Sequence, residues 1–340
     1  MNPNLAHDYR VFIDNKRIDN IKNIQFQSRS QSQLDTLNVT LTSSIASDMD
    51  LFGKPIVFFL DKREGIPMFR GFIKDATVND KSVSIRAIDV RGHLTSENIN
   101  QLVLDDKYNY DGYTLGGFLK SYIEEYINKE TTLIGVDKIN DTEPISTLSG
   151  VRGTFKPYEL VKNRLNLIFD NTKATEQPLR YHMTTVDDGN HSHIKFVKEK
   201  LKTDFPILSL SEADGILSYS YKKRPKKFIA HFGNRTFRLG SSKSAAFGKR
   251  YDIDEDLSPA DAQERVRNLL LSELEENIEI TLNTNRGFNL KPEDLVSIQL
   301  NNQDIDGVHK VVSKTISISN TCKLSLSLSK HKPMISQFIQ

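Results

Sequence analysis

Leu290-Lys291-Pro292-Glu293-Asp294-Leu295-Val296-Ser297-Ile298-Gln299-Leu300 reads as a tight turn feeding a short strand. A polar loop from Asn301 to Asp306 follows. Gly307 then opens a second strand, Val308 to Ile318, and Lys323 to Leu328 supplies a third. The same order occurs near the other end of the chain. There the turn is Phe52-Gly53-Lys54-Pro55 and the strand is Ile56 to Leu60. The polar loop is Asp61 to Gly65, Gly71 leads Phe72 to Val78, and Val83 to Ile88 closes. Upstream of each copy lies a further pair of candidate strands. In the first half these are Asn20 to Gln27 and Leu37 to Leu41; in the second they are Gly215 to Tyr221 and Phe228 to Phe232. Self-similarity of this kind governs the fold reading, so it comes first. It predicts one all-β unit of the same plan in each half.

The alternation inside these stretches supports strands. Ile24 and Phe26 are spaced by Gln25; Leu37, Val39 and Leu41 by Asn38 and Thr40; Val83, Ile85 and Ala87 by Ser84 and Arg86. Period two marks a strand with one buried face. Many short strands with polar turns read as a sandwich or barrel. Tyr9 to Ile13 is a first strand, with Asp14-Asn15-Lys16-Arg17 as its hairpin loop.

Residues 101–204 differ in character. Thr114 can cap a helix bearing Leu115, Phe118, Leu119, Tyr122, Ile123, Tyr126 and Ile127, an i, i+3/i+4 stripe. Pro157 suits the first turn of a second helix carrying Leu160, Val161, Leu165, Ile168 and Phe169. Strands near Leu179–Val186 and His193–Val197 are joined by Asp187-Asp188-Gly189-Asn190. The expected domains are therefore 1–100, a β-barrel; 101–204, an inserted α+β domain; and 205–340, a second β-barrel. In the last, Ser258-Pro259-Ala260-Asp261 reads as a helix start, with Ala262, Val266, Leu269, Leu270 and Leu274 as its buried stripe.

Composition narrows the function. With 340 residues, 37% hydrophobic and 26% charged, the chain can bury cores. A net charge of +2 excludes a wholly polybasic nucleic-acid binder. Cys322 is the lone cysteine, so no intramolecular disulfide forms. The N-terminus lacks the regions of a signal peptide, and the longest apolar run, Ile56 to Leu60, is too short to cross a bilayer.

Candidate chemistry is sparse. His182, His191 and His193 lie near Asp187 and Asp188, a residue set that could ligate a metal or simply form a polar hairpin tip. No phosphate loop, nucleophile elbow or zincin helix is present. The reading assigns no catalytic, cofactor-binding or metal residues. One charge pattern stands out: no acid falls between Asp214 and Asp252. That interval holds Lys222, Lys223, Arg224, Lys226, Lys227, Arg235 and Arg238, interleaved with Tyr219, Tyr221, Phe228, Phe232 and Phe237. Either a basic edge meets the acidic stretch Asp252 to Glu279, within one chain or between copies, or the block binds nucleic acid or an acidic partner.

Taken together, these stretches resemble the baseplate hub proteins of tailed phages and the related spike bases of type VI secretion and other contractile injection systems. The resemblance rests on Phe69-Arg70-Gly71-Phe72-Ile73, the helix from Thr114, and Lys156-Pro157-Tyr158-Glu159-Leu160. It rests also on Leu290 to Val296 and Gly307-Val308-His309-Lys310-Val311. It implies two tail-tube-like barrels per chain and a homotrimer that presents six barrels. Such a ring joins a hexameric tail tube to a central spike, in the virion baseplate, without catalysis or cofactor. Implied partners are the tube protein, the spike protein and a tape measure or other baseplate protein, after synthesis in the host cytoplasm. Some hubs carry a fused hydrolase; this chain's end at Gln340 leaves none expected. Glu293 departs from the Gly often found at that turn, which predicts a type I rather than a type II turn. Two other classes stay open: a nucleic-acid-binding β protein using Lys222 to Arg250, and a cell-wall hydrolase using 101–204.

Overall fold

The computed structural model describes residues 8–30, 32–42, 51–61, 65–95, 112–129, 131, 134–139, 148, 157–165, 169–170, 179–198, 205–223, 228–232, 235–239, 249–252, 278–302 and 305–330. The strands are β1 (Tyr9–Ile13), β2 (Lys16–Ile18), β3 (Ile21–Arg29), β4 (Thr36–Thr42), β5 (Pro55–Leu60), β6 (Phe69–Asn79), β7 (Ser82–Asp89), β8 (Ile134–Gly135), β9 (Phe169–Asp170), β10 (Leu179–Asp187) and β11 (Ser192–Lys198). They continue with β12 (Leu208–Ser211), β13 (Ile216–Lys223), β14 (Phe228–Phe232), β15 (Arg235–Leu239), β16 (Lys249–Asp252), β17 (Ile278–Thr284), β18 (Leu295–Gln299), β19 (Gly307–Ile318) and β20 (Cys322–Lys330). The helices are α1 (Leu115–Tyr122) and α2 (Pro157–Leu165), with a 3-10 turn at Val90–Leu94 and a π-helical turn at Ile123–Ile127. The fold is mainly antiparallel β, as the alternation predicts.

The chain divides into two compact units. The first comprises residues 1–168, 181–198 and 314–324; the second comprises 169–180, 199–313 and 325–340. In the first, strands run in the order β3-β4-β7-β6-β5-β1-β2. Val11, Ile24, Phe26, Leu37, Val39, Ile56, Phe58, Ile73, Val83 and Ile85 are all buried there. Phe26 meets Phe58 and Phe69 with ring centroids 6.2 and 5.9 Å apart. In the second unit the order is β13-β17-β20-β19-β18-β12. Ile280, Leu282, Leu295, Val296, Ile298, Val311 and Leu326 are buried in it.

The two strand orders share a five-strand set, β3-β4-β7-β6-β5 against β13-β17-β20-β19-β18. The likeness extends to irregularities. β3 bulges against β4 between Ile21 and Asn23, and β13 bulges against β17 between Ile216 and Ser218. Thr42 N donates to Asn20 O, and its counterpart Asn285 N donates to Gly215 O. β5 pairs β6 from Pro55↔Phe72 to Phe58↔Phe69; β18 pairs β19 from Leu295↔Lys310 to Ile298↔Gly307. Three further bonds repeat. Lys54 N to Leu51 O, Gly53 N to Ile73 O and Ile73 N to Lys54 O match Asp294 N to Lys291 O, Glu293 N to Val311 O and Val311 N to Asp294 O.

Four details correct the sequence reading. The second strand of the second set is β17, not Phe228–Phe232, which pairs instead with β15 and β16 in a separate three-stranded sheet. Both segments alternate, and only long-range pairing decides between them. Glu293 has φ 76°, like Gly53 at 73°, so the turn is type II after all. Its backbone N–H bonds to Val311 O, and its carboxylate lies 3.3 Å from the Lys310 ammonium in a largely buried pair. These contacts hold a conformation that side chains resist. The first hairpin loop is only Asp14-Asn15, at φ 49° and 63°, and Lys16 and Arg17 belong to β2. Two positive-φ residues suit the twist of a two-residue hairpin. Phe169 opens β9 rather than extending α2.

The insert belongs to the first unit apart from β9 and the first two residues of β10. Thr114 caps α1 by accepting from Gly117 N at 3.0 Å. The face carrying Leu115, Phe118, Leu119, Tyr122, Ile123 and Ile127 is buried with Val161, Leu165, Met183 and Ile194. Pro157 begins α2 as expected, and β8, β11, β10 and β9 form a small sheet. The helix expected from Ser258 lies outside the described residues.

Candidate assembly interface

The basic block starts on β13. Lys222 is exposed there and stands opposite Glu279 of β17 in the pairing register. Lys223 ends β13, and Arg235 and Arg238 lie on β15, opposite Phe232 and Ile229 of β14. Arg224, Lys226 and Lys227 lie outside the described residues. Of the acidic stretch, Glu279 is thus brought to Lys222, and Asp252 stands opposite His231.

More informative than charge is exposure along β13. From Leu217 to Lys222 both faces are open, an unusual state for a strand bearing Leu217, Tyr219 and Tyr221. β13 ends the strand order of its set, so one edge has no strand beside it among the described residues. β6 has a comparable edge. Its residues 69–72 pair with β5 and residues 71–79 with β7, leaving Asp75–Asn79 with one neighbouring strand. Those five residues are also exposed, Val78 among them. Neither edge was singled out in the sequence. The Leu217-Ser218-Tyr219-Ser220-Tyr221 alternation was visible, but it reads as a buried face.

A polar cluster ties the first unit together. Asp89 caps the Val90–Leu94 turn, accepting from Arg91 N at 2.8 Å, Arg91 Nε at 2.9 Å and Arg91 Nη2 at 2.8 Å. Arg91 also donates to Met183 O and Gln33 O, both at 2.7 Å. Met183 N donates to Ser32 Oγ, and Tyr158 Oη to Ser32 O. Arg91 is therefore satisfied while buried, as a buried guanidinium must be. Burial alone would lower its pKa, but the Asp89 carboxylate more than offsets this and holds the charge. Burial pushes the Asp35 carboxyl up to about 6, against the pull of Arg91. Burial likewise holds His93, stacked on Phe72 at 4.0 Å, down to about 4.

At the β10–β11 hairpin, Asp188 accepts from Asn190 N and His191 N, and its Oδ2 lies 2.8 Å from His193 Nε2. The His191 amide, then the His193 ring, hold its carboxyl well below the usual range. His193 Nδ1 lies 2.6 Å from Asp137. Arg70 Nε meets Asp187 Oδ2 at 2.5 Å, and Arg70 Nη2 donates to Gly189 O at 2.8 Å. His182 is buried on β10 opposite Val197. Among the described residues, no group of three or more His, Cys, Asp or Glu stands together to hold a metal. Burial, then Asp61, pushes the Cys322 thiol up to about 11, which leaves it little thiolate at neutral pH.

Solved structures carry the same fold. A tail protein from Neisseria meningitidis MC58 matches with a TM-score of 0.66 at 11% identity, covering 95% of this chain and 96% of that one. The 43 kDa tail protein of prophage MuSo2 from Shewanella oneidensis matches with a TM-score of 0.64 at 11% identity, covering 95% and 96%. The E. coli c3393 protein is a component of the type VI secretion system, described as similar in structure to the T4 bacteriophage tail proteins gp27 and gp5. It matches with a TM-score of 0.57 at 10% identity, covering 96% and 79%. No protein-family model and no curated protein matches the sequence. The fold is that of phage tail proteins and of the spike-base proteins of type VI secretion.

Proposed function

We propose that this chain is a structural subunit of a phage tail or related injection machine, acting as a baseplate or tail-tip hub. Three copies close into a ring with pseudo-six-fold symmetry, joining a hexameric tail tube to a central spike. The observation that carries this reading is the five-strand set found twice in one chain, with the same order, bulge, turn and pairing register. Two equivalent sets per chain and a three-fold axis give six equivalent positions, and closed point-group symmetry is the rule for assemblies of identical chains. The three-domain division at 1–100, 101–204 and 205–340 belongs to this reading, with the first and last domains building the ring.

The hub acts by templating and sealing, not by turnover, and lies in the virion baseplate. Its partners are its own copies, the tube protein, the spike protein and a tape measure or other baseplate protein. The block Lys222, Lys223, Arg224, Lys226, Lys227, Arg235 and Arg238 serves assembly through charge complementarity with an acidic protein surface. Native mass spectrometry of the protein with its tube or spike partner should give three copies of this chain. A monomer in every assembly overturns the ring.

A further inference from the structure

The geometry points to the junction that closes this ring: β13 of one copy lies beside the Asp75–Asn79 half of β6 in the next copy, extending the sheet from chain to chain. This rests on the ring reading and names the strands that make it. The argument comes from the internal repeat. Register equivalences place Ile24 of β3 with Tyr219 of β13, and Phe26 with Tyr221. Counting on from the Phe72–Lys310 equivalence, through the irregularity of β6 between Ile73 and Asp75, places Ala76 with Lys314 and Val78 with Ile316, in phase with the buried alternation of Lys314, Ile316 and Ile318.

Within the first unit, β3 has the Lys314–Ile318 part of β19 at its edge. Lys314 Nζ lies 5.5 Å from the centre of the Phe26 ring. Ile24 and Phe26 are 0% and 2% exposed, and Ile316 is 0% exposed. The equivalent strands, β13 and the far half of β6, have no such neighbour among the described residues. Their equivalent side chains are open: Tyr219 is 37% exposed, Tyr221 41% and Val78 59%. Each copy therefore carries one open edge of each kind, and each edge has the shape of the other's missing partner. An edge strand whose backbone N–H and C=O groups lack a neighbouring strand is a template for pairing. Lys222 on one edge and Asp75 on the other are exposed and opposite in charge, though each already stands by a partner in its own unit, Glu279 and Arg86. A second copy is the occupant that supplies both strands at once.

The test uses the full chain in a Cys322→Ser background. Ala76→Cys and Tyr221→Cys are introduced together, because Lys314, the equivalent of Ala76, lays its ammonium over the ring of Phe26, the equivalent of Tyr221. Both positions are exposed, so folding tolerates them. Mild oxidation of the assembled protein should give disulfide-linked dimers and trimers on a denaturing gel, with no species beyond three. Trimers by native mass spectrometry without any cross-link overturn the junction while leaving the ring reading intact. Absence of trimers removes both. A ladder that continues past three shows open-ended pairing and overturns the closed junction. As a second measurement, Tyr219→Glu with Tyr221→Glu should unfold as cooperatively as the parent but form no ring. Undiminished ring formation by that variant also overturns the proposal.

Discussion

At position 293 a glutamate occupies a backbone conformation that its repeat counterpart assigns to Gly53. Left-handed backbone costs a residue with a Cβ roughly 1–2 kcal/mol. Here the buried ion pair with Lys310 accompanies it. Glu293→Ala removes the pair and keeps the backbone cost; Glu293→Gly removes both. The glycine variant should therefore be the more stable of the two by about 1 kcal/mol, read from denaturant midpoints. Equal midpoints would show that the turn relaxes once the pair is gone. Two buried groups set a pH dependence. Folding lowers the His93 pKa from 6.5 to about 4, so across that window the unfolded chain holds more protons and stability rises with pH. Folding raises Asp35 from 3.8 to about 6, so its contribution is present below 3.8 and lost as pH rises through 6. The two oppose each other between about pH 4 and 6. Asp35→Asn leaves His93 alone, so its Tm should fall more steeply than the parent's on acidification from pH 6.5 to 4. Parallel curves would contradict this assignment.

At the scale of elements, strands and helices are held by different means. The strands of each five-strand set bury alternate residues, and β4 shows this plainly, with Leu37, Val39 and Leu41 inside and Asn38 exposed. Helix α1 is only eight residues long and would be marginal alone; its buried face supplies the stability. Phe118 on that face is fully buried, its ring centroid 6.0 Å from that of Tyr122. Phe118→Ala should cost about 3–5 kcal/mol through lost transfer energy and the cavity left behind. The denaturant midpoint should fall with an unchanged slope. A loss below about 1 kcal/mol would show that the face collapses around the gap.

At the scale of the whole molecule, the proposed assembly would rest on many contacts rather than on one. Individual exposed ion pairs contribute only ~0.2–1 kcal/mol, so no one lysine in the basic block should matter much. On the proposed charge complementarity, reversing Lys222, Lys223, Arg224, Lys226 and Lys227 to Glu together replaces attraction by repulsion. Particle assembly should weaken, most at low salt where charges are least screened, while the chain keeps its thermal transition. Normal assembly with lost DNA affinity would instead favour nucleic-acid binding by this block.

Periodicity and caps are local, and they were legible. The alternation of Leu37, Val39 and Leu41, the Thr114 cap, the Pro157 start and the repeat of turn, strand and Gly-led strand all follow from neighbours within a few residues. That local information carried the fold class and the duplication. Choices among distant partners were not legible. Phe228–Phe232 and Ile278–Thr284 both alternate, yet only the latter pairs with β13, because pairing depends on which strands converge in space. The positive φ at Glu293 depends on Lys310 and Val311, and the buried Arg91 depends on Gln33 and Met183, residues 58 and 92 positions away. The exposure of Tyr219 and Tyr221 is also a tertiary fact. Their spacing reads as a buried face, and it becomes an open edge only because no strand lies beside β13 among the described residues. Sequence determined which segments extend or coil, since that is settled by side-chain period and local backbone preference. Tertiary structure alone decided which edges stay open, since that depends on where separated strands run out of neighbours.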